Sequence, residues 1–409
     1  MNSITAIAPV IIVAIVVWIA ATAVATGYGR LGRAMRQQGR SAAADDASRR
    51  PLPSFAIIVT AQNQADALRR NLPPLLGQDY PDYEVIVADM ASDDDTTQVL
   101  EGLEYAHPHL RHTRTPASAR DISLERLALN LALRSARSEW VVVVAAATRP
   151  ATPQWLRAVA REATEWRSLR IGTVAYAPGA PLRLRHERLW ATIATANHTR
   201  SGHAPLLATE ANVAMRRERA IALHGQQSHP GLRHGTLELL ANSNTPPRAT
   251  AYMLDSATML TEDAPTSHAA WRHQAVVQME TRRHARHIVI FAMANAARQL
   301  MPWMLMVATG IPLAATISAA TDAATAANPA DAITAATLAP AITAAILLLM
   351  LLAYAVVKLA AVGRTARQLG MGSLAFPFLW YELMRPVSTV RLWWRWMLTP
   401  HNDFRKKFV

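Results

Sequence analysis

One acid near the start of the chain stands where an α/β fold would place a ligand-binding residue. Two short apolar runs, residues 55–59 and 85–88, are rich in β-branched side chains and are each followed by polar residues. Runs of this length and composition predict buried strands of a parallel sheet, and ligands of such sheets bind beyond the carboxyl ends of the strands. Asp89 follows the second run directly and is therefore the best-placed acid in the protein. The polar residues after the two runs are Thr60, Gln62, Asn63, Asp89 and Ser92.

A strand–helix–strand unit must position these residues. Residues 65–76, between the two runs, carry leucines at helical spacing, and the whole unit has the length of a right-handed crossover. Further along, residues 123–136 predict a helix, and residues 140–144 and 168–175 predict additional strands. We therefore expect an α/β domain with a central, mostly parallel sheet.

Composition limits the classes of protein to consider. The chain has 409 residues, enough for one domain of ordinary size plus additional elements. The absence of cysteine excludes disulfides and cysteine-based metal sites. A formal net charge of +13 suits the anionic cytoplasmic face of a membrane. Nucleic acid is the rival partner, but the arginines are scattered and no nucleic-acid module accompanies them, so we expect no nucleic-acid binding.

Apolar segments near the two ends of the chain predict a membrane protein. Residues 4–26 contain no charge and are long enough to cross a bilayer, and residues 300–320 and 338–357 are two further candidate spans. Arginines follow the first span, which places the main domain in the cytoplasm. Aromatic residues and arginines alternate over residues 374–398, as in a helix lying in the membrane interface. The predicted organisation is a membrane anchor (1–29), a basic linker (30–53), the α/β domain (54–285), two spans (286–358) and an amphipathic tail (359–409).

The motifs of residues 54–97 resemble those of the family 2 glycosyltransferases, which are inverting enzymes with the A-type nucleotide-sugar fold. The matching stretches are the strand at residues 57–59 with Asn63, the run Q-D-Y-P-D-Y-E-V-I-V at residues 78–87, Asp89, and S-x-D-x-T at residues 92–96. A weaker resemblance continues to about Arg283. It implies that Asp89 approaches the base of a nucleotide diphosphate sugar, with Thr60, Gln62, Asn63 and Ser92 beside it. The alternative is a generic doubly wound domain in which Asp89 is a solvated acid.

The acids that this family uses for metal binding are missing from the chain. After the strand at residues 140–144 the family carries an Asp-x-Asp motif that holds a divalent ion against the leaving diphosphate, whereas this chain has Ala145 and Ala147. A hard cation needs oxygen ligands, so we expect no metal site. Arg149 lies nearby and is the candidate for replacing part of that charge on the phosphate side. The alternative is that Arg149 is a solvated arginine.

The family's general base is also replaced. The resemblance places it at Leu237, which cannot accept a proton. Two weak candidates could substitute. Glu238 is one residue away, but that shift turns a helical side chain by about 100°, and Asp263 belongs to a T-E-D triplet whose position instead suits an edge strand. The family's Q-x-x-R-W motif reads Q-A-V-V-Q at residues 274–278, and Arg282 and Arg283 follow one turn later as a basic interfacial face.

These features predict a family 2 glycosyltransferase-like integral membrane protein of cell-envelope glycan assembly, with impaired or absent catalysis. The alternative is an active inverting transferase that uses relocated acids and moves a sugar to a lipid-linked or polysaccharide acceptor. No cofactor is expected, except Mg²⁺ or Mn²⁺ in that alternative. The expected partners are membrane lipid, a nucleotide sugar and other glycan-assembly proteins. The expected location is the bacterial inner membrane, with several spans and a cytoplasmic main domain.

Overall fold

The structure is a computed structural model that describes most of the chain beyond residue 50. The described residues are 51–116, 123–162, 169–225, 232–243, 249–265, 267–324, 335–371, 375–400 and 404. The predicted membrane anchor and nearly all of the basic linker lie outside them. The described residues divide into two compact units: a sheet unit, which comprises those up to Phe291, in 366–371 and from Thr389 onward, and a helical unit, which comprises those in Ala292–Thr365 and 375–388.

The described part of the sheet unit contains ten strands in two sheets. The strands are β1 (Phe55–Ala61), β2 (Tyr83–Asp89), β3 (Leu110–Arg114), β4 (Trp140–Ala145), β5 (Thr148–Pro150), β6 (Leu169–Gly172), β7 (Val174–Tyr176), β8 (Val213–Arg216), β9 (Thr250–Met253) and β10 (Leu260–Glu262). The main sheet has the order β3-β2-β1-β4-β8-β6-β9, and β5-β10-β7 form the second sheet. Within the main sheet β8 is antiparallel to both its neighbours, and the other pairs are parallel. The prediction of a mostly parallel central sheet is confirmed.

Helices pack against the sheets, and the burial that results accounts for the apolar runs of the strands. Those up to residue 283 are α1 (Ala65–Leu76), α2 (Thr96–Ala106), α3 (Leu124–Ser135), α4 (Trp155–Glu162), α5 (Leu182–Arg200), α6 (Arg217–Gly225), α7 (Thr236–Ser243) and α8 (His268–Arg283). The first five residues of β1 are completely buried, because both faces of a central parallel strand are covered. Leu68, Leu72 and Leu75 of α1 pack into the same core.

The strand register brings several loops to one end of the main sheet. Ala61 of β1 pairs with Asp89 of β2, and Thr60 pairs with Ala145 of β4. These three parallel strands therefore end level with one another, at what is called here the carboxyl end of the sheet. Since β8 is antiparallel to β4 and Val213 pairs with Val143, the residues just before β8 also lie at this end.

Residues 168–175 do not form the single strand that their apolar character predicts. They are divided between β6 in the main sheet and β7 in the second sheet. The Thr173 carbonyl accepts hydrogen bonds from the Leu260 amide and from the Asn212 side chain, both across to other segments. The chain therefore changes sheets at Thr173, and the apolar pattern alone does not reveal such a change.

Three long helices follow α8: α9 (Ile288–Ala324), α10 (Ala335–Gln368) and α11 (Ala375–Leu398). Segments Ile288–Ile311 of α9 and Leu348–Gln368 of α10 are long and apolar enough to cross a membrane. They overlap the two spans predicted near this part of the chain but are shifted along them. Inside the helical unit, the buried Lys358 ammonium lies 2.7 Å from a Glu382 carboxylate oxygen and donates to the Tyr354 hydroxyl.

Candidate functional site

The loops after β1 and β2 are joined by hydrogen bonds at the carboxyl end of the sheet. The Asn63 amide donates to Ser92 Oγ at 2.9 Å, and Asn63 Oδ1 accepts from the Asp93 amide at 2.9 Å. Asn63 adopts a left-handed backbone conformation (φ 52°), which asparagine tolerates better than most residues. The structure thus brings Asn63, Ser92 and Asp89 together, with Thr60 and Gln62 next to Asn63 in the chain.

Asp89 accepts a hydrogen bond through one carboxylate oxygen, while the other has only an ionic contact among the described residues. Its side chain is buried, and Oδ1 accepts from the Ser92 amide at 3.0 Å. Oδ2 is buried and accepts no hydrogen bond from any described residue. Arg114 Nε lies 3.6 Å from this oxygen, and the same arginine donates to the Ser92 carbonyl at 2.9 Å. Oδ2 is thus a buried acceptor beside the Arg114 guanidinium that still lacks a hydrogen-bond donor, which is unusual for a buried polar atom.

Arg114 is a site residue that the sequence did not reveal. It is the last residue of β3 and pairs in register with Asp89. Its side chain remains 53 % exposed, so it could contact a ligand at the surface of the site. A basic residue at the end of a third strand could have indicated this role. That inference requires knowing that β3 is the neighbour of β2 in the sheet.

The acids after Ser92 serve the local structure. Asp94 accepts from the Ala65 and Thr96 amides, and Thr96 Oγ1 accepts from the Gln64 amide. These bonds satisfy free amides at the starts of α1 and α2, where helices lack internal partners. The two helix starts next to Asp89 are thereby fixed to one another.

The turn after β4 offers backbone groups and no carboxylate. Thr148 Oγ1 donates to the Ala145 carbonyl at 2.7 Å, and the Asp263 amide donates to the Ala147 carbonyl at 2.9 Å. No cluster of three or more histidine or acidic side chains suited to a metal ion occurs among the described residues. The residues at this turn therefore do not fit the divalent ion that the fold family implies.

Arg149 lies in a charge network beneath this turn. Its Nη1 is 2.6 Å from Asp263 Oδ1 and donates to Asn71 Oδ1 at 2.8 Å. Asn71 Nδ2 in turn donates to Asp263 Oδ2 and to the Ala146 carbonyl. Burial works to raise the pKa of Asp263, but hydrogen bonds from Arg149 and Asn71 outweigh it and lower that pKa. Asp263 is thus an ionised partner of Arg149.

Glu238 is buried within an ion pair. Its Oε1 accepts from Arg282 Nε at 2.9 Å, and its side chain is completely buried. Arg282 is only 15 % exposed and also donates to the Leu207 carbonyl. The interpretation of Arg282 as part of an interfacial face is therefore wrong. Arg283 does lie near the surface, with its guanidinium 5.7 Å from the Trp396 ring.

Two further glutamates cap the start of α7. The Thr236 amide donates to Glu125 Oε1 at 3.0 Å, and the Glu238 amide donates to Glu210 Oε2 at 3.0 Å. Anionic groups are favoured at a helix start because the amides there are free and the helix dipole is positive. Gly235 permits this approach, since it has φ 85° and a Cβ at its position would lie 2.1 Å from a Thr281 methyl.

Sequence reasoning did not identify Glu125 or Glu210 as site residues. Neither residue belongs to a motif that the sequence analysis placed at the active centre. Residue 210 precedes β8, so its location at the carboxyl end depends on the antiparallel direction of that strand. Glu125 is in the first turn of α3, which begins at the carboxyl end because it follows β3.

Comparisons with known proteins gave one family match in sequence and several matches among solved structures. Residues 56–221 match the profile described as glycosyl transferase family 2. No curated protein sequence matches the chain. Among solved structures, the mannosyltransferase PcManGT from Pyrobaculum calidifontis, in complex with GDP-Man and Mn²⁺, is 20 % identical, with 87 % of this chain and 98 % of that chain covered and a TM-score of 0.45. TarS residues 1–349 from S. aureus, in complex with UDP-GlcNAc, is 15 % identical, with coverages of 62 % and 71 % and a TM-score of 0.37.

Proposed function

We propose, from the premise that residues 56–221 form a glycosyl transferase family 2 domain with the A-type fold, that this domain binds a nucleotide sugar but has impaired or absent sugar transfer. The observation that carries the proposal is the buried Asp89 carboxylate, whose Oδ2 accepts no hydrogen bond from the described residues. A nucleotide base with a ring N–H, such as uracil, would satisfy this oxygen. Asn63 and Ser92 hold the surrounding loops in place for it.

The loss of transfer follows from the turn after β4. The family's divalent ion neutralises the leaving diphosphate and stabilises the transition state by several kcal/mol, on the order of other electrostatic contributions to catalysis. The side chains of Ala145 and Ala147 offer no oxygen ligand for such an ion. Arg149 is the candidate cation on the phosphate side, although Asp263 already balances its charge.

We further propose that the chain is a multi-pass protein of the bacterial inner membrane that takes part in envelope glycan assembly with other proteins. Segments Ile288–Ile311 and Leu348–Gln368 support the spans. The second half of α11 exposes Trp393 and Trp394 beside arginines, which suits contact with membrane lipid. The arginines that follow the predicted first span support a cytoplasmic location of the sheet unit.

An active transferase with relocated acids is the second candidate, and one observation favours it. Glu210, Glu125 and Glu238 converge on the start of α7, at the carboxyl end of the sheet, together with Arg282. A carboxylate near an acceptor hydroxyl is what the base step requires.

Asp89→Asn should weaken the binding of a uridine diphosphate sugar. The variant replaces an accepting oxygen with an amide that can donate in its place, and hydrogen bonds to charged groups contribute about 1.5–3 kcal/mol. The dissociation constant measured by calorimetry should rise about 10- to 100-fold. Asp93→Asn, an exposed neighbour, is the matched control and should bind as the unmodified protein does. Equal binding by Asp89→Asn, or no binding by the unmodified protein, would contradict the assignment.

The membrane topology gives a separate prediction. Reporters fused after Ser41 and Val409 should signal a cytoplasmic location, and one fused after Asn328 should signal the opposite side. The reason is that arginines follow the first predicted span, and that Lys358, Arg364 and Arg367 follow the predicted span at residues 338–357, whereas residues 321–337 contain no lysine or arginine. An external signal at Ser41 would overturn the orientation.

A further inference from the structure

We propose that the start of α8 and the second half of α11 form a binding site for the headgroup of an anionic phospholipid. The proposal rests on the membrane location in the proposed function and deepens it, because it names the class of lipid and the residues that contact it. The side chains that define the site are Arg183, His268, Arg272 and Arg395. All four belong to the sheet unit, and none of them contributes to the site around Asp89.

The second half of α11 is attached to α8 through one of its faces. Leu392 packs against a buried apolar cluster that contains Trp271 of α8. Four residues later, Trp396 Nε1 donates to the buried Glu280 at 2.9 Å. Residues four apart lie on the same face of a helix, so these two contacts fix which face of α11 points away from α8.

The opposite face of this half-helix is apolar and exposed. Its large exposed side chains recur at intervals of three and four residues and form one stripe along the helix: Val390, Trp393, Trp394, Met397 and Leu398. Arg391 and Arg395 are exposed beside the stripe. Indole and aliphatic side chains flanked by arginines are typical of a helix whose outer face lies in the membrane interface.

Arg183, at the start of α5, is held next to the start of α8. Its guanidinium carbon lies 4.9 Å from the centre of the Trp271 ring, and its Nη1 donates to His268 Nε2 at 3.0 Å. An arginine can only donate, so Nε2 is the acceptor, and the imidazole is neutral with its proton on Nδ1. The exposed His268 therefore has an N–H group left to donate to a ligand.

Two more arginines add positive charge to this place. Arg272 follows His268 by one helical turn and thus lies on the same face of α8. Arg395 is one turn beyond Leu392, in the part of α11 that is attached to α8. Slight burial and then the charges of Arg183, Arg272 and Arg395 lower the pKa of His268, so all three arginines are close enough to act on it.

Carboxylates of the neighbouring elements do not balance this charge. Glu262 of β10 accepts from Arg188, and Glu280 of α8 accepts from Trp396. Arg272 Nε is buried and donates no hydrogen bond to any described residue. Guanidinium groups bind phosphate through paired hydrogen bonds, so arginines that converge without a carboxylate suit a phosphate ligand.

The position of Arg395 favours a lipid as the source of that phosphate. This arginine directly follows the exposed Trp394, so a phosphate held here has the apolar stripe beside it. A phospholipid would place its headgroup among the arginines and its acyl chains along the stripe. The cytoplasmic leaflet of a membrane is negatively charged and attracts arginines near its surface.

The first experiment titrates two short-chain lipids into the full chain in a neutral detergent, with tryptophan fluorescence as the signal. Dioctanoyl phosphatidylglycerol should bind about 10- to 30-fold more tightly than dioctanoyl phosphatidylcholine, because only the former has a net charge. Arg272→Gln/Arg395→Gln should remove this preference, and Arg272→Lys/Arg395→Lys should keep most of it. The matched control is Arg134→Gln/Arg137→Gln, which neutralises two exposed arginines elsewhere and should keep the full preference.

A second measurement needs no variant. Diethyl pyrocarbonate modifies neutral imidazoles, and mass spectrometry of the unmodified protein should show that His268 reacts. Phosphatidylglycerol should protect His268, and phosphatidylcholine at the same concentration should not. His234 is the control: it is exposed, and its carbonyl accepts from Thr281 near the other end of α8, about 20 Å along the helix, so it should stay reactive with both lipids.

Three results would overturn the proposal. One is equal affinity for the two lipids, or equal protection of His268 by both. Another is a preference that survives Arg272→Gln/Arg395→Gln or that the control variant loses equally. The third is inorganic phosphate or uridine diphosphate that protects His268 as well as phosphatidylglycerol does, since the ligand would then be a soluble phosphate. Failure of nucleotide-sugar binding would refute the proposed function, and the lipid titration would still decide this site.

Discussion

Arg282→Met is expected to lower the free energy of unfolding by about 3–5 kcal/mol, because it leaves the Glu238 charge buried without its partner. The Glu238 side chain is completely buried, and the Leu207 carbonyl would lose a donor in the same variant. Chemical denaturation of the detergent-solubilised protein, followed by near-ultraviolet circular dichroism, would measure the change. Burial raises the pKa of Glu238 above its unfolded value, so the carboxyl becomes neutral in the folded protein at a higher pH than in the unfolded chain. Removing Arg282 takes away a group that lowers this pKa, so the pKa of Glu238 is higher still in the folded variant. The stability lost in Arg282→Met should therefore recover as the pH falls through the variant's folded pKa, and be lost again as the pH rises.

Two variants control for this result. Arg282→Met with Glu238→Leu removes both charges and should recover most of the stability, since replacing a whole buried pair is often close to neutral. Arg283→Met removes an exposed arginine whose guanidinium lies over the Trp396 ring, and should cost about 1 kcal/mol or less. Equal losses in the single and double variants would show that the ion pair is not what holds α7 to α8.

Ala145→Asp/Ala147→Asp should make nucleotide-sugar binding depend on manganese. Carboxylates at the end of β4 would supply the oxygen ligands that a hard cation needs, next to the expected diphosphate. A tenfold gain in affinity corresponds to about 1.4 kcal/mol, and we expect at least about that gain when Mn²⁺ is added. Calorimetry with and without the metal would measure it.

The matched control for the restored acids is Ala145→Asn/Ala147→Asn. It has side chains of the same size but no negative charge, so it should gain little from Mn²⁺. A restored protein that binds the nucleotide sugar equally well with and without metal would show that the end of β4 does not face the diphosphate.

The sequence predicts the first half of the sheet unit well, for a physical reason. Central parallel strands are buried on both faces, so β1 and β4 appear as uninterrupted apolar runs, and the helix at residues 65–76 shows its leucine spacing. The carboxyl-end rule then places Asp89 at the end of β2 without any knowledge of side-chain contacts. The buried oxygen of Asp89 that accepts no hydrogen bond could not be predicted, because it depends on the positions of Ser92 and Arg114.

The rest of the site depends on contacts between distant segments. Arg149 and Asp263 are 114 positions apart, and Asn71 and Asp263 are 192 apart, so no local spacing relates them. Arg282 lies on a helix with little amphipathic pattern, and only the packing of α8 against α7 makes it the partner of Glu238. For the same reason, the helix that carries the altered Q-x-x-R-W motif still brings the Arg282 guanidinium beside the Glu238 carboxylate.

The central claim is that the domain keeps the residues around Asp89 that would bind a nucleotide. At Ala145 and Ala147 it lacks the carboxylates that would hold the metal required for transfer. The most direct test is calorimetric titration of a uridine diphosphate sugar into the unmodified protein, once with Mn²⁺ and once with a chelator. The account predicts weak binding with the same dissociation constant in both, after correction for metal bound to the free nucleotide, and no detectable sugar transfer. Tighter binding with Mn²⁺, together with metal-stimulated transfer that Glu238→Gln or Asp263→Asn abolishes, would contradict it.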